Sequence, residues 1–114
     1  MKIFVYGSLK RGKQRHGFLE KQVFIKEIVT KPIYRLYNLG SFPAMVEDEN
    51  GISIKGELWD VDEKCLEFLD FIEAHPVFFE RKQVQLIEEI DAQAYLFNRN
   101  WMALECTDCG ESWQ

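Results

Sequence analysis

Short runs of β-branched and aromatic residues, some of them alternating with polar residues, recur along the chain, which is typical of β-strands. The first run, residues 2–6, is rich in β-branched and aromatic side chains and ends at Gly7. Residues 22–38 continue the pattern but contain Pro32, which cannot donate to a central ladder. They predict two strands, or one strand bent at Pro32. Further strands are predicted at residues 52–61, 81–90 and 92–98, with a loop and a short extended piece in residues 39–46.

One main helix is predicted at residues 60–73, where apolar residues recur at helical spacing. Asp60 can cap its first turn, and Glu63 lies three residues on, as in a capping box. Residues 74–76 (AHP) stop the helix. A short helix or helical turn is predicted within residues 13–21. The apolar stripe of the main helix consists of Cys65, Leu66, Phe68, Leu69 and Ile72.

Two polar links predict tight turns between neighbouring strands. Residues 47–51 (EDENG) contain Asn50 and Gly51, the usual pair of a type I′ hairpin turn, just before the strand at 52–61. Residues 89–91 predict a second antiparallel hairpin. About six or seven short strands, one main helix and a short helix define a mixed α/β (α+β) class. Because the order is not a regular βαβαβ, we expect a small curved mixed sheet or barrel with the main helix at its side.

The composition predicts one folded domain over residues 1–114, because 46% of the residues are hydrophobic and 14% are aromatic. No apolar run approaches the roughly 20 residues of a membrane helix, and residues 3–5 are too short an apolar run for a secretory signal. Three cysteines without an export signal predict free thiols in a reducing, cytoplasmic compartment. In residues 101–114 we expect only Trp101 and Leu104 to pack on the domain.

The charge distribution is uneven. The net charge of −5 argues against general binding to nucleic acid. Nine of the 14 Lys and Arg residues lie in the first 35 positions, whereas 14 of the 19 acidic residues lie from Glu57 onward. One interpretation is two solvated faces of opposite charge, which we favour as the commoner arrangement. The other is a basic mouth around Lys10, Arg11, Lys13 and Arg15 that attracts a small anionic substrate.

Gly7, Ser8 and Leu9 follow the first strand and form a turn whose backbone N–H groups need partners. Successive free amides after a strand make a concave donor site for an anion or a carbonyl oxygen. The small Gly7 lets a ligand approach the main chain closely. The same pattern also fits an ordinary strand-ending turn.

Glu73 lies at the end of the predicted helix, one turn after Leu69, and therefore shares the apolar stripe. A carboxylate on an apolar face is unfavourable unless it is paired or its pKa is raised. A raised pKa would make Glu73 a usable general base or acid near neutral pH. The alternative is a helix-end Glu that reaches solvent.

Cys106-Thr-Asp-Cys109 has the spacing of half a zinc site or of a redox pair. The chain has no second such pair and no His close to it, so we expect neither a metal site nor redox chemistry here. The sequence also has no P-loop, no dinucleotide-binding fingerprint and no defensible Ser-His-Asp or Cys-His arrangement.

Five segments resemble the γ-glutamylcyclotransferase-like superfamily, in particular its AIG2-like, γ-glutamylamine cyclotransferase branch. The first three are residues 5–12 (VYGSLKRG), similar to the YGSL or YGTL loop, residues 42–46 (FPAMV) and residues 55–61 (KGELWDV). Residues 69–73 (LDFIE) resemble the helix end that carries the family's catalytic Glu, and residues 79–81 (FER) stand where the family has Tyr-x-Arg. The match covers residues 1 to about 98, and the tail from about residue 99 is poorly matched.

The resemblance implies a curved-sheet or barrel fold with a cavity that holds a small γ-glutamyl substrate. It implies that Glu73 is catalytic, and that substrate is bound by Tyr6, Gly7, Ser8, Leu9 and Phe79. In the implied reaction the α-amine of a γ-glutamyl amine attacks its own γ-carbonyl, releasing 5-oxoproline and the free amine. No cofactor or metal is expected, and neither is a nucleic-acid or membrane partner. We expect a monomer or weak dimer.

Two residues depart from the family pattern. Phe79 replaces the usual Tyr, which removes a hydroxyl group, and Ala74 replaces the Gly that commonly follows the Glu, which would alter the turn. The alternative function is therefore a non-catalytic small-ligand-binding or regulatory module on the same fold. The sequence does not identify the amine half of the substrate.

Overall fold

Eight strands form two sheets in the computed structural model, which describes residues 1–40, 42–101 and 107–113. The strands are β1 Lys2–Val5, β2 Val23–Val29, β3 Tyr34–Asn38, β4 Pro43–Glu47, β5 Lys55–Asp60, β6 Phe79–Val84, β7 Ala92–Phe97 and β8 Thr107–Asp108. One α-helix, α1, spans Glu63–Ile72, and 3-10 helices span His16–Leu19 and Arg99–Trp101. The mixed α+β class predicted from the sequence is confirmed.

The larger sheet has the strand order β2-β5-β1-β7-β6, with β1 at its centre. β1 is antiparallel to β5 and parallel to β7, while β6 and β7 form the predicted antiparallel hairpin. The smaller sheet has the order β4-β3-β8. Residues 22–38 therefore do contain two strands, and these strands belong to different sheets.

The central strands of the larger sheet contribute to hydrophobic clusters on both faces, because successive side chains along a strand point to opposite faces. In β1, Ile3 and Val5 join the hydrophobic cluster beneath α1, whereas Phe4 joins the cluster on the other face. In β7, Tyr95 and Phe97 also belong to the cluster beneath α1. That cluster borders the cavity described below.

The helix begins later than predicted. Asp60 is the last residue of β5 and binds the terminal amino group of Met1 (3.2 Å), so it does not cap α1. Asp62 is the N-cap, and its Oδ1 accepts a hydrogen bond from the N–H of Cys65 (2.7 Å). Either Asp60 or Asp62 could cap the helix by its chemistry, but Asp60 is paired in the sheet, so Asp62 is the N-cap.

The apolar stripe of α1 is confirmed in most of its positions. Cys65 and Leu69 are buried, and Leu66 and Ile72 pack against the same cluster. The prediction was wrong for Phe68, which is 44% exposed. None of the helices in the described ranges is long and apolar enough to span a membrane.

The prediction of a type I′ hairpin turn at residues 47–51 was wrong. β4 pairs with β3 and not with β5, and neither Asn50 nor Gly51 has the positive φ that a type I′ turn requires. Gly51 instead packs on the backbone of β3, because a Cβ there would lie 2.3 Å from the nitrogen of Tyr34. Close approach of two segments, and not turn conformation, explains this glycine.

The end of the chain is better anchored than the sequence predicted. β8 pairs with β3, and the N–H of Cys109 donates to the carbonyl of Leu36 (2.7 Å). The N–H of Lys55 donates to the carbonyl of Glu111 (2.7 Å). Sequence pattern missed these contacts because two-residue strands carry no periodicity. The packing predicted for the side chains of Trp101 and Leu104 lies outside what the structure describes.

Candidate active site

A cavity of about 800 Å³ lies among the loop after β1, the end of α1 and the strands β4, β6 and β7. All six residues that the resemblance assigns to the site line this cavity, namely Tyr6, Gly7, Ser8, Leu9, Glu73 and Phe79. They come from three separate segments of the chain. Central placement of β1 between β5 and β7 brings these segments together.

The loop after β1 carries unused main-chain donors. The N–H groups of Gly7, Ser8 and Leu9 donate no hydrogen bond to any residue in the described ranges. The loop itself is fixed, since the N–H of Arg15 donates to the carbonyl of Ser8 (2.8 Å). Free amides on a fixed loop can receive an anion or a carbonyl oxygen without rearrangement.

Glu57, in β5, holds this loop from outside the cavity. Its carboxylate accepts hydrogen bonds from the N–H and Nε of Arg11 (3.0 and 3.1 Å) and from Nε1 of Trp59 (3.2 Å). Burial alone would raise the pKa of Glu57, but these donors outweigh burial and lower it. Sequence reasoning missed this role, although residues 55–61 were recognised as a family segment.

Tyr6 and Gly7 also join the two sheets. The Tyr6 hydroxyl donates to the carbonyl of Tyr95 and accepts from the N–H of Met45 (3.4 Å). Burial, with a further contribution from Glu73, raises the pKa of Tyr6 above its ordinary value. A Cβ at Gly7 would lie 2.7 Å from Cγ of Pro43, so packing on β4 requires a glycine here. The sequence argument had explained Gly7 by ligand approach alone.

Glu73 follows the last residue of α1, and its N–H donates to the carbonyl of Leu69 (3.0 Å). Its side chain is 12% exposed, and no residue in the described ranges donates a hydrogen bond to its carboxylate. Burial raises the pKa of Glu73 from 4.5 to about 7, and the positive charge of Arg15 partly opposes this shift. Glu73 can therefore both accept and release a proton near neutral pH.

A polar network fixes the end of α1 against the β6–β7 hairpin. Arg81 donates from Nε and Nη2 to the two carboxylate oxygens of Asp70 (2.9 and 3.1 Å), and Tyr95 donates to the same group (2.6 Å). The N–H of Arg81 also donates to Nδ1 of His75 (2.9 Å). Because Glu73 lies between Asp70 and His75 in sequence, the network holds it in place. No local pattern pointed to Tyr95, which lies far along the chain from Glu73.

Arg15 is the main site residue that sequence reasoning left undecided. Its guanidinium Nη1 lies 4.0 Å from Oε1 of Glu73, and Arg15 lines the cavity. The other basic residues of the loop have other contacts: Arg11 pairs with Glu57, and Lys10 donates to a main-chain carbonyl near the C-terminus. The charge cluster at residues 10–15 was the available signal, but its spacing did not show which cation enters the cavity.

Ala74 takes the backbone conformation that glycine prefers. Its φ is +52°, in the left-handed region. The turn after Glu73 is therefore formed despite the side chain, with some backbone strain.

Three phenylalanine rings form one wall of the cavity. The ring of Phe79 lies 5.0 Å from that of Phe97 and 6.0 Å from that of Phe42, both in T-shaped contacts. Phe42 and Phe97 are 6.4 Å apart. Phe79, which lacks the hydroxyl usual in the family, therefore packs between two other phenylalanine rings.

Cys109 is half-buried and Cys65 is buried, and both are free thiols. Burial raises the pKa of each thiol above its ordinary value. Over the ranges that the structure describes, no three His, Cys, Asp or Glu side chains are grouped to hold a metal. Cys106 lies outside the described residues, so the expectation that Cys106 and Cys109 form neither a metal site nor a redox pair stays a prediction.

Comparison with known proteins gives consistent matches. The family model described as "Gamma-glutamyl cyclotransferase, AIG2-like" matches residues 3–114. A Methanocaldococcus jannaschii protein provisionally named a gamma-glutamylcyclotransferase is 39% identical over 100 residues, which are 83% of this chain and 82% of that protein. A gamma-glutamylaminecyclotransferase C of Danio rerio is 36% identical over 74% of this chain and 60% of its own length.

The fold also matches solved structures. The crystal structure of an AIG2-like protein from Mus musculus superposes with a TM-score of 0.81 at 29% identity, covering 99% of this chain and 87% of that one. The family model and these relatives identify a γ-glutamylcyclotransferase-like enzyme. This chain belongs to the gamma-glutamyl cyclotransferase, AIG2-like family.

Proposed function

We propose that this protein releases 5-oxoproline and a free amine from a γ-glutamyl amine, with Glu73 as the general acid and base. The observation that carries the proposal is the buried carboxyl group of Glu73, with a pKa of about 7, in the same cavity as the loop amides. The nucleophile belongs to the substrate, so the enzyme needs to fold the substrate, move protons and stabilise charge.

The charges of the cavity suit the head of a γ-glutamyl group. Its α-carboxylate and α-ammonium are neighbours on one carbon, and Arg15 and Glu73 are neighbours at 4.0 Å. Arg15 binds the carboxylate and Glu73 faces the ammonium. The N–H groups of Gly7, Ser8 and Leu9 are then free to stabilise the oxygen of the γ-carbonyl.

The reaction follows from this placement. Glu73 takes a proton from the α-ammonium, and the freed amine nitrogen attacks the γ-carbonyl carbon to close a five-membered ring. Negative charge moves to the carbonyl oxygen, where the loop amides stabilise it. The carbonyl then re-forms as the bond to the departing amine breaks, and Glu73 returns the proton to that amine nitrogen. Glu73 next takes the second proton from the ring nitrogen, which leaves the neutral lactam, and passes it to the released amine.

The test is 5-oxoproline release from a panel of γ-glutamyl amines by the parent protein and by Glu73→Gln. Gln keeps the shape of the side chain but cannot take the proton, so the rate should fall by roughly a hundredfold or more. Glu67→Gln is the matched control, because Glu67 is an exposed carboxylate on the same helix. It should retain the parent rate.

Two outcomes would count against the proposal. Equal turnover by parent and Glu73→Gln would remove Glu73 from the mechanism. A parent that binds members of the panel and releases no 5-oxoproline would favour the non-catalytic binding module. Phe79, which lacks the hydroxyl usual in the family, is the residue that would support that second function.

A further inference from the structure

The cavity is larger than a γ-glutamyl group requires. At about 800 Å³ it lies within the range of sites that bind whole small molecules. The proposed contacts of the glutamyl head use only Arg15, Glu73 and the loop. The remaining wall must therefore accommodate the amine half of the substrate.

That remaining wall is apolar in the part of the chain that the structure describes. Phe42, Phe79 and Phe97 form its centre, and Ile72 and Leu39 extend it. Among the described lining residues, the charged side chains are Arg15 and Glu73, and the proposed reaction uses both.

The polar groups near this wall are already engaged. The hydroxyl of Tyr95 donates to Asp70, and that of Tyr6 donates to a main-chain carbonyl. The side-chain oxygen of Asn38 accepts a hydrogen bond from the N–H of Gly40 (2.9 Å). A cationic group on the leaving amine would lose its water here without gaining a carboxylate partner.

Aromatic rings can themselves attract a cation through their faces. Here the rings of Phe42 and Phe97 each approach Phe79 at a steep angle, 60° and 69° between planes. In such T-shaped contacts the edge of one ring covers the face of another. Part of the ring-face area of this wall is therefore covered within the wall itself.

We propose that the amine released by this enzyme is an alkyl or aryl amine that has no second charged group and whose side chain packs on Phe42, Phe79 and Phe97. This inference rests on the proposed cyclotransferase function and specifies its substrate class. An amine with a second cationic group, as in a diamine or lysine, is selected against at the same wall.

Two synthetic substrates with the same five-carbon chain test the inference. γ-Glutamyl-pentylamine and γ-glutamyl-cadaverine differ only in that the second ends in an ammonium group. We expect kcat/KM for 5-oxoproline release to be at least about tenfold higher for the pentylamine derivative, the scale on which an apolar pocket discriminates. Equal or faster release from the cadaverine derivative would overturn the inference and leave the proposed function standing.

A variant pair checks that the wall causes the preference. Phe42 is half-buried at the cavity, so Phe42→Glu should place a carboxylate there and reduce or invert the ratio. Phe71→Glu is the matched control, because Phe71 is 80% exposed and does not line the cavity. An unchanged ratio in a folded Phe42→Glu protein would contradict the assignment of this wall.

Direct binding separates the two proposals if neither compound is turned over. Calorimetric titration of the parent with both compounds then reports on the wall alone. At least about tenfold tighter binding of the pentylamine derivative would support the apolar subsite while the cyclotransferase proposal fails. Equal binding, or none, would overturn both.

Discussion

The burial of Glu73 predicts that its ionisation destabilises the folded protein. The folded-state pKa is about 7, against 4.5 for an ordinary Glu, so the unfolded chain loses this proton more easily. Stability is therefore highest below about pH 4.5 with respect to this group, falls as the pH rises toward 7, and then levels off. A difference of about 2.5 pKa units corresponds to about 3 kcal/mol at pH 8, about 2 at pH 6 and about 1 at pH 5.

Glu73→Gln tests this reasoning, because an amide cannot ionise but has nearly the same shape. Urea unfolding of parent and variant at pH 5, 6, 7 and 8 gives the difference in free energy of unfolding at each pH. The variant should become the more stable protein, with an advantage that grows from about 1 to about 3 kcal/mol over this range. Comparison with Glu67→Gln controls for removal of one negative charge from the same helix.

A difference that does not grow with pH would refute the reasoning. It would mean that Glu73 has a similar pKa in the folded and unfolded states, and that its carboxyl group reaches water or a partner. A Glu73→Gln protein that is less stable than the parent at pH 8 would have the same consequence. The general-base assignment would then lose its physical basis, whatever the activity of the variant.

Three further predictions follow from the same site. In the parent, kcat/KM for 5-oxoproline release should rise with pH through about 7, because the free enzyme needs the carboxylate of Glu73 to accept a proton; a flat profile from pH 5 to 8 would contradict this. Arg15→Gln should move that rise to higher pH, because removal of the cation disfavours the carboxylate form of Glu73. It should also raise KM by roughly tenfold, because the contact with the substrate carboxylate is lost. The control Lys13→Gln should have neither effect. Ala74→Gly should raise the free energy of unfolding by about 0.5–1 kcal/mol, because relief of left-handed strain outweighs the extra freedom of glycine in the unfolded chain. Urea unfolding measures this difference, and a lower free energy of unfolding in the variant would contradict the prediction.

The elements that sequence predicted well are those whose signal is local. The β-branched and aromatic run of β1 and the apolar stripe that contains Cys65 and Leu69 are both visible within a few neighbouring residues of the sequence. Glu73 was singled out for the same reason, since its distance from Leu69 placed it on the buried face of a helix.

The errors arose where distant segments meet. Asn50 and Gly51 have the local chemistry of a hairpin turn, but contact with Tyr34 in β3 determines their conformation. Asp60 and Asp62 are equally good caps in isolation, and pairing of β5 with β1 selects Asp62. No local pattern contains the partner in either case.

The position of Glu73 is easier to explain by chemistry than by folding. A buried carboxylate without hydrogen-bond donors among the described residues makes the folded state less stable at neutral pH, and a Gln or an apolar residue would remove that penalty. Arg15, the nearby cation, is 45% exposed and 4.0 Å away, so it offsets only part of the penalty. A module that only bound a ligand would not need a group that exchanges a proton near neutral pH, whereas a proton-transfer enzyme requires a group whose pKa is close to the pH at which it works. The burial of Glu73 therefore favours the cyclotransferase proposal over the binding module even before turnover is measured.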